Sequence, residues 1–267
     1  MKTEIFQGTI KALSPIHHGG PEQYGTVKTI LTIPFLTDAE EIVEIPVIHG
    51  NAIRGYLRRL IMQDFLENIE YQLDNPKLYH ALFSGGLLEA KAKSTGQIDA
   101  KLKREIRAHI PPLSLLGTAI GNQMIQGKLK VDLAVPIVEE TKEEGVSAYE
   151  IRSRDFGTRL DDLREYREED EQATQMKYEF EVIVPGTRFF HEFILLDASE
   201  IERACFIRAL NLWNQRPYLG GKSGAGYGKI QIEYDNWVPE DERPYLDYLG
   251  TEREELSAYL DELGLML

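Results

Sequence analysis

YLGGKSGAGYGKI, residues 218–230, sets five glycines (Gly220, Gly221, Gly224, Gly226, Gly228) and two lysines in thirteen positions. A P-loop requires G-x-x-x-x-G-K-[ST], so that backbone amides wrap the phosphates and a following helix directs its N-terminus at them. Gly221, Lys222 and Ser223 supply the end of that motif, but Arg216 stands where its first glycine belongs. The dinucleotide fingerprint fails as well, because Lys229 occupies the place of its third glycine after Gly224-Ala225-Gly226. Both motifs lead from a strand into a helix. Here the amphipathic stretch 199–214, opened by Ser199 with Glu202 three residues on as a capping box, precedes the loop, and KIQIEYDNW follows it as a strand. A helix-to-strand loop removes the nucleotide-binding reading. Two remain: backbone laid against an extended anionic ligand, with Lys222, Ser223 and Lys229 at hand and Tyr227 for stacking, or a tight turn with no ligand.

Working outward, TEIFQGTIKAL (3–13) alternates as a strand, SPIHHGG (14–20) is a loop, and TVKTILTIPFL (26–36) is a second extended segment. Residues 52–68 read as a helix, with Ile53, Leu57, Leu60, Ile61 and Phe65 at helical spacing and Asn51 as its N-cap. Helical pieces at 76–83 and 101–109 flank a Gly/Ser/Lys-rich loop. KLKVDLAVPIV (128–138) is a strand, 139–175 is polar, and MKYEFEVIVPGTRFFHEFILLDA (176–198) reads as a hairpin turning at Pro185-Gly186. This order suits an α+β fold around an antiparallel sheet in which the first and last strands pair.

The chain of 267 residues is 42% apolar and 28% charged, ordinary for a globular fold with a sizeable core. Its one cysteine, Cys205, excludes an internal disulfide and suits a reducing compartment, so the expected location is the cytoplasm. No run of apolar residues is long enough to span a membrane, and none forms a secretory leader. The net charge of −14 argues against an acidic partner, yet half of it lies in 239–267, where nine acids face Arg243 and Arg253. Arg54, Arg58, Arg59, Lys101, Lys103, Arg104 and Arg107 form local basic islands, so an acidic chain can still present a basic groove.

In IPVIHGNAIRGYLRRL (45–60) the helix sets Arg54 and Arg58 one turn apart, with Asn51 before them. Two planar guanidiniums and an amide suit successive phosphates; a solvated helix face is the plainer reading. Gly55 costs about 1 kcal/mol against alanine in a helix, and allows close approach by a ligand or another element. Adjacent His17 and His18 could serve as acid and base in RNA cleavage, or pack beside the sheet and touch RNA. His49, His80, His109 and His191 show no metal-ligand spacing.

GNAIRGYLRR opening the first helix and the glycine loop after the second together resemble the RAMP superfamily of CRISPR-associated proteins. SPIHHGG, SLLGTAIGNQMIQGKLKVDLA (114–134) and YEIRSRDFGTR (149–159) with YEFEVIVPGTRF (178–189) extend the likeness over roughly 3–236, and the last pair is similar to the thumb of the seven-class backbone subunit. The resemblance implies a ferredoxin-like, RRM-type palm over 1–238. It also implies a helical insertion at about 70–112, a β-hairpin thumb at about 145–178, and 239–267 as an acidic tail that docks on a neighbouring subunit or shields the filament edge. It implies crRNA and target nucleic acid as partners, copies of itself in a helical filament, other effector subunits, and no cofactor. Carried onto this chain, Asn51, Arg54, Arg58, Lys222, Ser223, Tyr227 and His18 would contact RNA. Arg152, Arg154 and Arg159, with Phe156 and Met176 as apolar wedges, would belong to the thumb. Target-cleaving type III relatives carry an aspartate between the first strand and the arginine helix; Gly19–Thr37 holds Glu22 and no aspartate. That departure favours a non-cleaving backbone, of type IV or type I-D character, over a ribonuclease of the same superfamily. A protein-interaction module without RNA is the third reading.

Overall fold

The computed structural model describes residues 2–86, 99–120, 123–142, 145–159 and 176–267. In chain order the strands and helices are β1 (Thr3–Ala12), β2 (Gly19–Tyr24), β3 (Val27–Ile30), β4 (Thr32–Leu36), β5 (Ile42–Pro46), α1 (Gly50–Asn68), α2 (Pro76–Tyr79), α3 (Ala100–His109) and α4 (Pro111–Leu116). Then come β6 (Thr118–Ile120), β7 (Gln123–Ile125), β8 (Leu129–Val131), β9 (Val135–Pro136), α5 (Glu139–Lys142), β10 (Arg152–Arg159), β11 (Met176–Ile183) and β12 (Arg188–Leu196). The chain closes with α6 (Glu200–Gln215), β13 (Ile230–Tyr234), α7 (Arg243–Thr251) and α8 (Arg253–Met266).

Alternation along β1 and β12 buries Phe6, Ile10, Phe189, Phe193 and Leu195 on one side of a sheet ordered β13-β1-β12-β8. Taken as the four core strands this is fourth-first-third-second, with α1 and α6 as the intervening helices, which is the ferredoxin-like topology that the resemblance implies. The first and last strands pair antiparallel, from Gly8 opposite Tyr234 to Ala12 opposite Ile230. The capping box at Ser199 and Glu202 forms as read. Leu57, Phe65, Phe206, Leu210 and Trp213 pack with the sheet into the main core. Asp64 on α1, 6% exposed, takes both nitrogens of the Arg208 fork from α6, at 2.5 Å to Nη2, and Arg208 reaches Glu242 at 3.2 Å. A smaller core of Ile45, Val47, Val138, Ala148 and Ile151 lies apart from it.

Several boundaries differ from the sequence reading. The segment 26–36 divides into β3, which joins the sheet β10-β11-β3-β2, and β4, which pairs with β5. The segment 128–138 breaks between β8 and β9. The hairpin expected over 176–198 does not form: Thr187 N–H closes the turn on Val184 O at 3.4 Å, but β11 pairs with β10 and β3 while β12 pairs with β1, β8 and β9. Both edges of β12 are filled, which leaves β11 no place beside it. The acidic C-terminal stretch is no free tail. Its helices α7 and α8 bury Tyr245, Leu249, Leu256, Leu260 and Leu263 in the main core, and apolar residues at helical spacing account for that packing better than the acids between them. No helix among the described residues is long and apolar enough to cross a membrane.

His191 on β12 is fully buried, with Nδ1 2.8 Å from the Tyr234 hydroxyl. Burial holds its pKa at about 4 instead of 6.5. As pH falls through 6.5 the unfolded chain takes up a proton that the fold refuses, so stability falls toward pH 4 by up to about 1.4 kcal/mol per unit. In His191→Gln, the loss of urea stability between about pH 7 and about pH 4.5 should be smaller than in the parent chain; an equal loss would show that another group governs it.

Candidate nucleic-acid interface

The N-terminal half of α1 forms the floor of two grooves. The helix begins two residues earlier than expected, because Gly50 lets the chain pass close to β8: a Cβ there would lie 2.3 Å from Val131 O. The N-cap is therefore His49, whose Nδ1 accepts from Asn51 N–H at 3.1 Å, and not Asn51. Asn51 is freed from capping and exposed, and with Gly55 and Arg59 it makes one stripe at four-residue spacing. A groove of about 1060 Å³ lies on one side of this stripe, bounded by Arg54, Ser84, Gly85, Gly127, Lys130 and Asp132. A second, of about 260 Å³, lies on the other, bounded by His17, His18, Tyr56, Gly220 and Gly221. Asn51, Gly55 and Arg59 border both.

Arg54 and Arg58 do not share an open face. Arg58 is 5% exposed, and its guanidinium donates to Leu82 O (3.3 Å), Leu116 O (2.9 Å) and Gly117 O (2.9 Å). It fastens the segment after α4 to α1, and it stands in the wall of the larger groove and not on an open helix face. The signal was in the helical wheel, since Met62, one turn on, is buried in the core. Arg54 is half-buried and donates to Leu116 O as well. Neither guanidinium has a carboxylate partner among the described residues. Burial, with the charge of Arg54 second, lowers the Arg58 pKa to about 10, and burial lowers that of Arg54. Two cations with no carboxylate partner among the described residues favour an anion at the groove wall, which Asp132 also borders. The exposed cation of the stripe is Arg59, stacked 5.8 Å over Tyr56, which the sequence reading counted only among the basic residues.

A Cβ built on Gly55 would meet nothing nearer than an Arg59 nitrogen at 3.8 Å. The fold thus has no steric need for glycine here. Gly55→Ala should raise stability by about 0.5–1 kcal/mol while weakening whatever lies in the groove. Thermal melts and ligand titrations of that variant check both signs, and a lower melting temperature would show that the fold itself requires the glycine.

The glycine loop docks on SPIHHGG: Gly221 N–H donates to His17 O (2.9 Å) and Gly228 N–H to Pro15 O (2.8 Å). At Gly228, φ is +77° and a Cβ would sit 2.1 Å from Leu219 O, so that glycine serves the turn itself; Gly224 has nothing within 4 Å. Lys222 lies 4.4 Å and 4.2 Å over the rings of Tyr178 and Phe180. Ser223 is exposed. Tyr227 donates to Asp155 at 2.6 Å, which raises the tyrosine pKa to about 12 and lowers that of the carboxyl. The loop is thereby bound to the β10–β11 ladder, in which Arg152 faces Ile183 and Arg159 faces Met176.

On that ladder Arg152, Arg154 and Phe156 share one face. Arg152 is paired with Glu181 at 3.2 Å; Arg154 is exposed, and Phe156 is 64% exposed. The side chains of Arg159 and Met176 lie outside the described residues, as do 160–175 of the expected thumb and 87–98 of the expected insertion. Among residues the sequence reading passed over, Lys130 and the exposed Met124 of β7 line the larger groove.

The histidines are fixed by backbone. His17 Nδ1 lies 2.8 Å from Glu181 O, and His18 Nε2 accepts from His49 N–H at 3.1 Å. Burial, then the rings of His49 and His17, lowers the pKa of His18. Among the described residues no group of three or more His, Cys, Asp or Glu side chains is arranged to hold a metal ion.

Residues 9–231 match the family model of the RAMP superfamily. No curated protein matches the chain. Among solved structures, a chain of a "Type IV-B CRISPR Complex" has a TM-score of 0.61 at 20% identity, over 87% of this chain and 91% of that one.

Proposed function

The chain belongs to the RAMP superfamily, and on that premise we propose that it is a non-catalytic backbone subunit of a CRISPR effector complex, binding crRNA along α1 and the glycine loop. The observation that carries this reading is the Asn51–Gly55–Arg59 stripe, which joins two open grooves past a glycine that the fold does not need. Single-stranded RNA wants cations for phosphates, bare backbone for close approach, and flat or apolar groups for bases. Arg54, Arg59, Lys130 and Lys222 supply the first, Gly55 and Gly224 the second, Tyr56, Tyr227, Phe156 and Met124 the third. In this reading β10 and β11 are the root of a thumb and α2–α4 belong to a helical insertion of the palm. Copies of the chain stack along the guide, and other effector subunits join the assembly, as the chain of similar fold belongs to a CRISPR complex.

The non-catalytic assignment rests on two observations. Gly19–Thr37 offers Glu22 and no aspartate, and the Glu22 carboxylate accepts from Tyr24 on the protein surface. His17 and His18 are each held by a backbone group.

Labelled repeat and target RNA, incubated with the protein with and without magnesium, should bind with affinity that falls as salt rises, and should stay intact. The slope of log affinity against log salt should be about −0.7 per phosphate neutralised. Specific cleavage abolished by a His17, His18 or Glu22 substitution would replace the non-catalytic reading with a ribonuclease. Salt-insensitive or absent binding would leave a protein-interaction module.

A further inference from the structure

The smaller groove carries a chemistry that phosphate binding does not explain. His17 Nδ1 faces the carbonyl oxygen of Glu181, so in the neutral ring Nδ1 holds the proton and Nε2 keeps the lone pair. His18 Nε2 faces the N–H of His49, so Nε2 must accept and Nδ1 holds the proton. Two main-chain groups of opposite kind thus give adjacent histidines opposite tautomers. Both residues border the same cavity, which Arg59 and Gly221 also border. With His17 Nε2 and His18 Nδ1 turned toward it, the cavity would offer one hydrogen-bond acceptor, one donor and an adjacent cation. The His17 ring is further held edge-on to Phe180, at 5.1 Å between centroids.

A phosphate oxygen only accepts, and a site built for phosphate alone would present donors alone. A hydroxyl both donates and accepts. On a nucleic acid backbone, a hydroxyl beside a phosphate is the ribose 2′-OH, the group that distinguishes RNA from DNA.

We infer that the His17–His18 pair reads a ribose 2′-hydroxyl and makes this groove selective for RNA over DNA, with Arg59 on the neighbouring phosphate. The inference rests on the reading of the grooves as an RNA site. The hydroxyl hydrogen goes to His17 Nε2, and the hydroxyl oxygen accepts from His18 Nδ1. Gly220 packs against the His17 carbonyl, where a Cβ would lie 2.7 Å away, and Gly221 borders the cavity without a side chain.

The test compares one short oligouridine in three forms, ribose, 2′-deoxyribose and 2′-fluororibose, by fluorescence anisotropy at neutral pH. The 2′-fluoro polymer keeps the sugar pucker of RNA but has no proton to donate. With two hydrogen bonds at stake, the ribose form should bind about tenfold tighter than either analogue. His17→Phe, which keeps the ring against Phe180 and removes the acceptor, should bring the RNA affinity down toward that of the analogues. Fluoro-RNA binding as tightly as RNA would show that pucker, not the hydroxyl, is recognised, and would overturn the inference without any variant having to fold. Equal binding of RNA and DNA would overturn it while leaving the RNA site standing. Binding of no polymer would overturn both.

Discussion

Reversing the charge of Arg59 and Arg154 together, as Arg59→Glu with Arg154→Glu, is expected to weaken RNA binding about a hundredfold at low salt, roughly tenfold for each site. Arg59 is the exposed end of the α1 stripe and borders both grooves, and Arg154 stands on the open face of the β10–β11 ladder. Each reversal removes a partner for phosphate and sets a like charge in its place. Because both side chains are exposed, the fold should be little changed, within about 0.5 kcal/mol by urea titration. Reversal of Lys101 and Arg104 is the matched control. They sit on α3, and neither borders the two grooves. If the control weakens binding as much as the α1 and ladder pair, attraction to the chain is diffuse and the proposed path is wrong.

The second large effect is on stability. Asp64→Ala should cost about 3–5 kcal/mol, because it leaves the Arg208 guanidinium at the joint of α1 and α6 without its main carboxylate. Glu242, at 3.2 Å, offsets part of that loss and places the effect toward the lower end. Asp64→Asn keeps the shape and one acceptor, and should fall between the two. Urea midpoints measure both. A shift of less than about 1 kcal/mol for the alanine variant would mean that apolar packing alone joins the two helices. Since α1 carries the candidate interface on its first half and this brace on its second, Asp64→Ala should also lower RNA binding, in proportion to the fraction unfolded.

The palm was legible wherever one period governed a segment. Alternation in TEIFQGTIKAL and in the two halves of 176–198, and helical spacing in 52–68 and 199–214, follow from burial of one face, and that burial decides the structure locally. Pairing was harder. Pro185-Gly186 marks a turn correctly, but which strands lie beside β11 depends on which edges of β12 are already taken, and that is a property of the whole sheet. The C-terminal stretch misled through its charge. Nine acids in 29 residues drew attention away from Tyr245, Leu249, Leu256, Leu260 and Leu263, whose spacing makes them two packed helices.

The candidate site shows the same division. GNAIRGYLRR identified the helix that borders the grooves, and the glycine loop lies beside it as the pattern suggests. Spacing by four could not tell which arginine faces outward. Arg58 shares its side with Met62 and turns into the protein, and Arg59, one residue on, takes the open face. The tautomers of His17 and His18 were not legible at all, because they are set by Glu181 and His49, which reach them from elsewhere in the chain.

The most direct measurement is photocrosslinking of the purified protein to 4-thiouridine RNA, followed by mass spectrometry of the linked peptides. The predicted result is crosslinks within Asn51–Arg59, within Tyr218–Gly228 and on the Arg154–Phe156 face of the ladder. Crosslinks confined to α3 or to the outer face of the β13-β1-β12-β8 sheet, or none above background, would contradict the account.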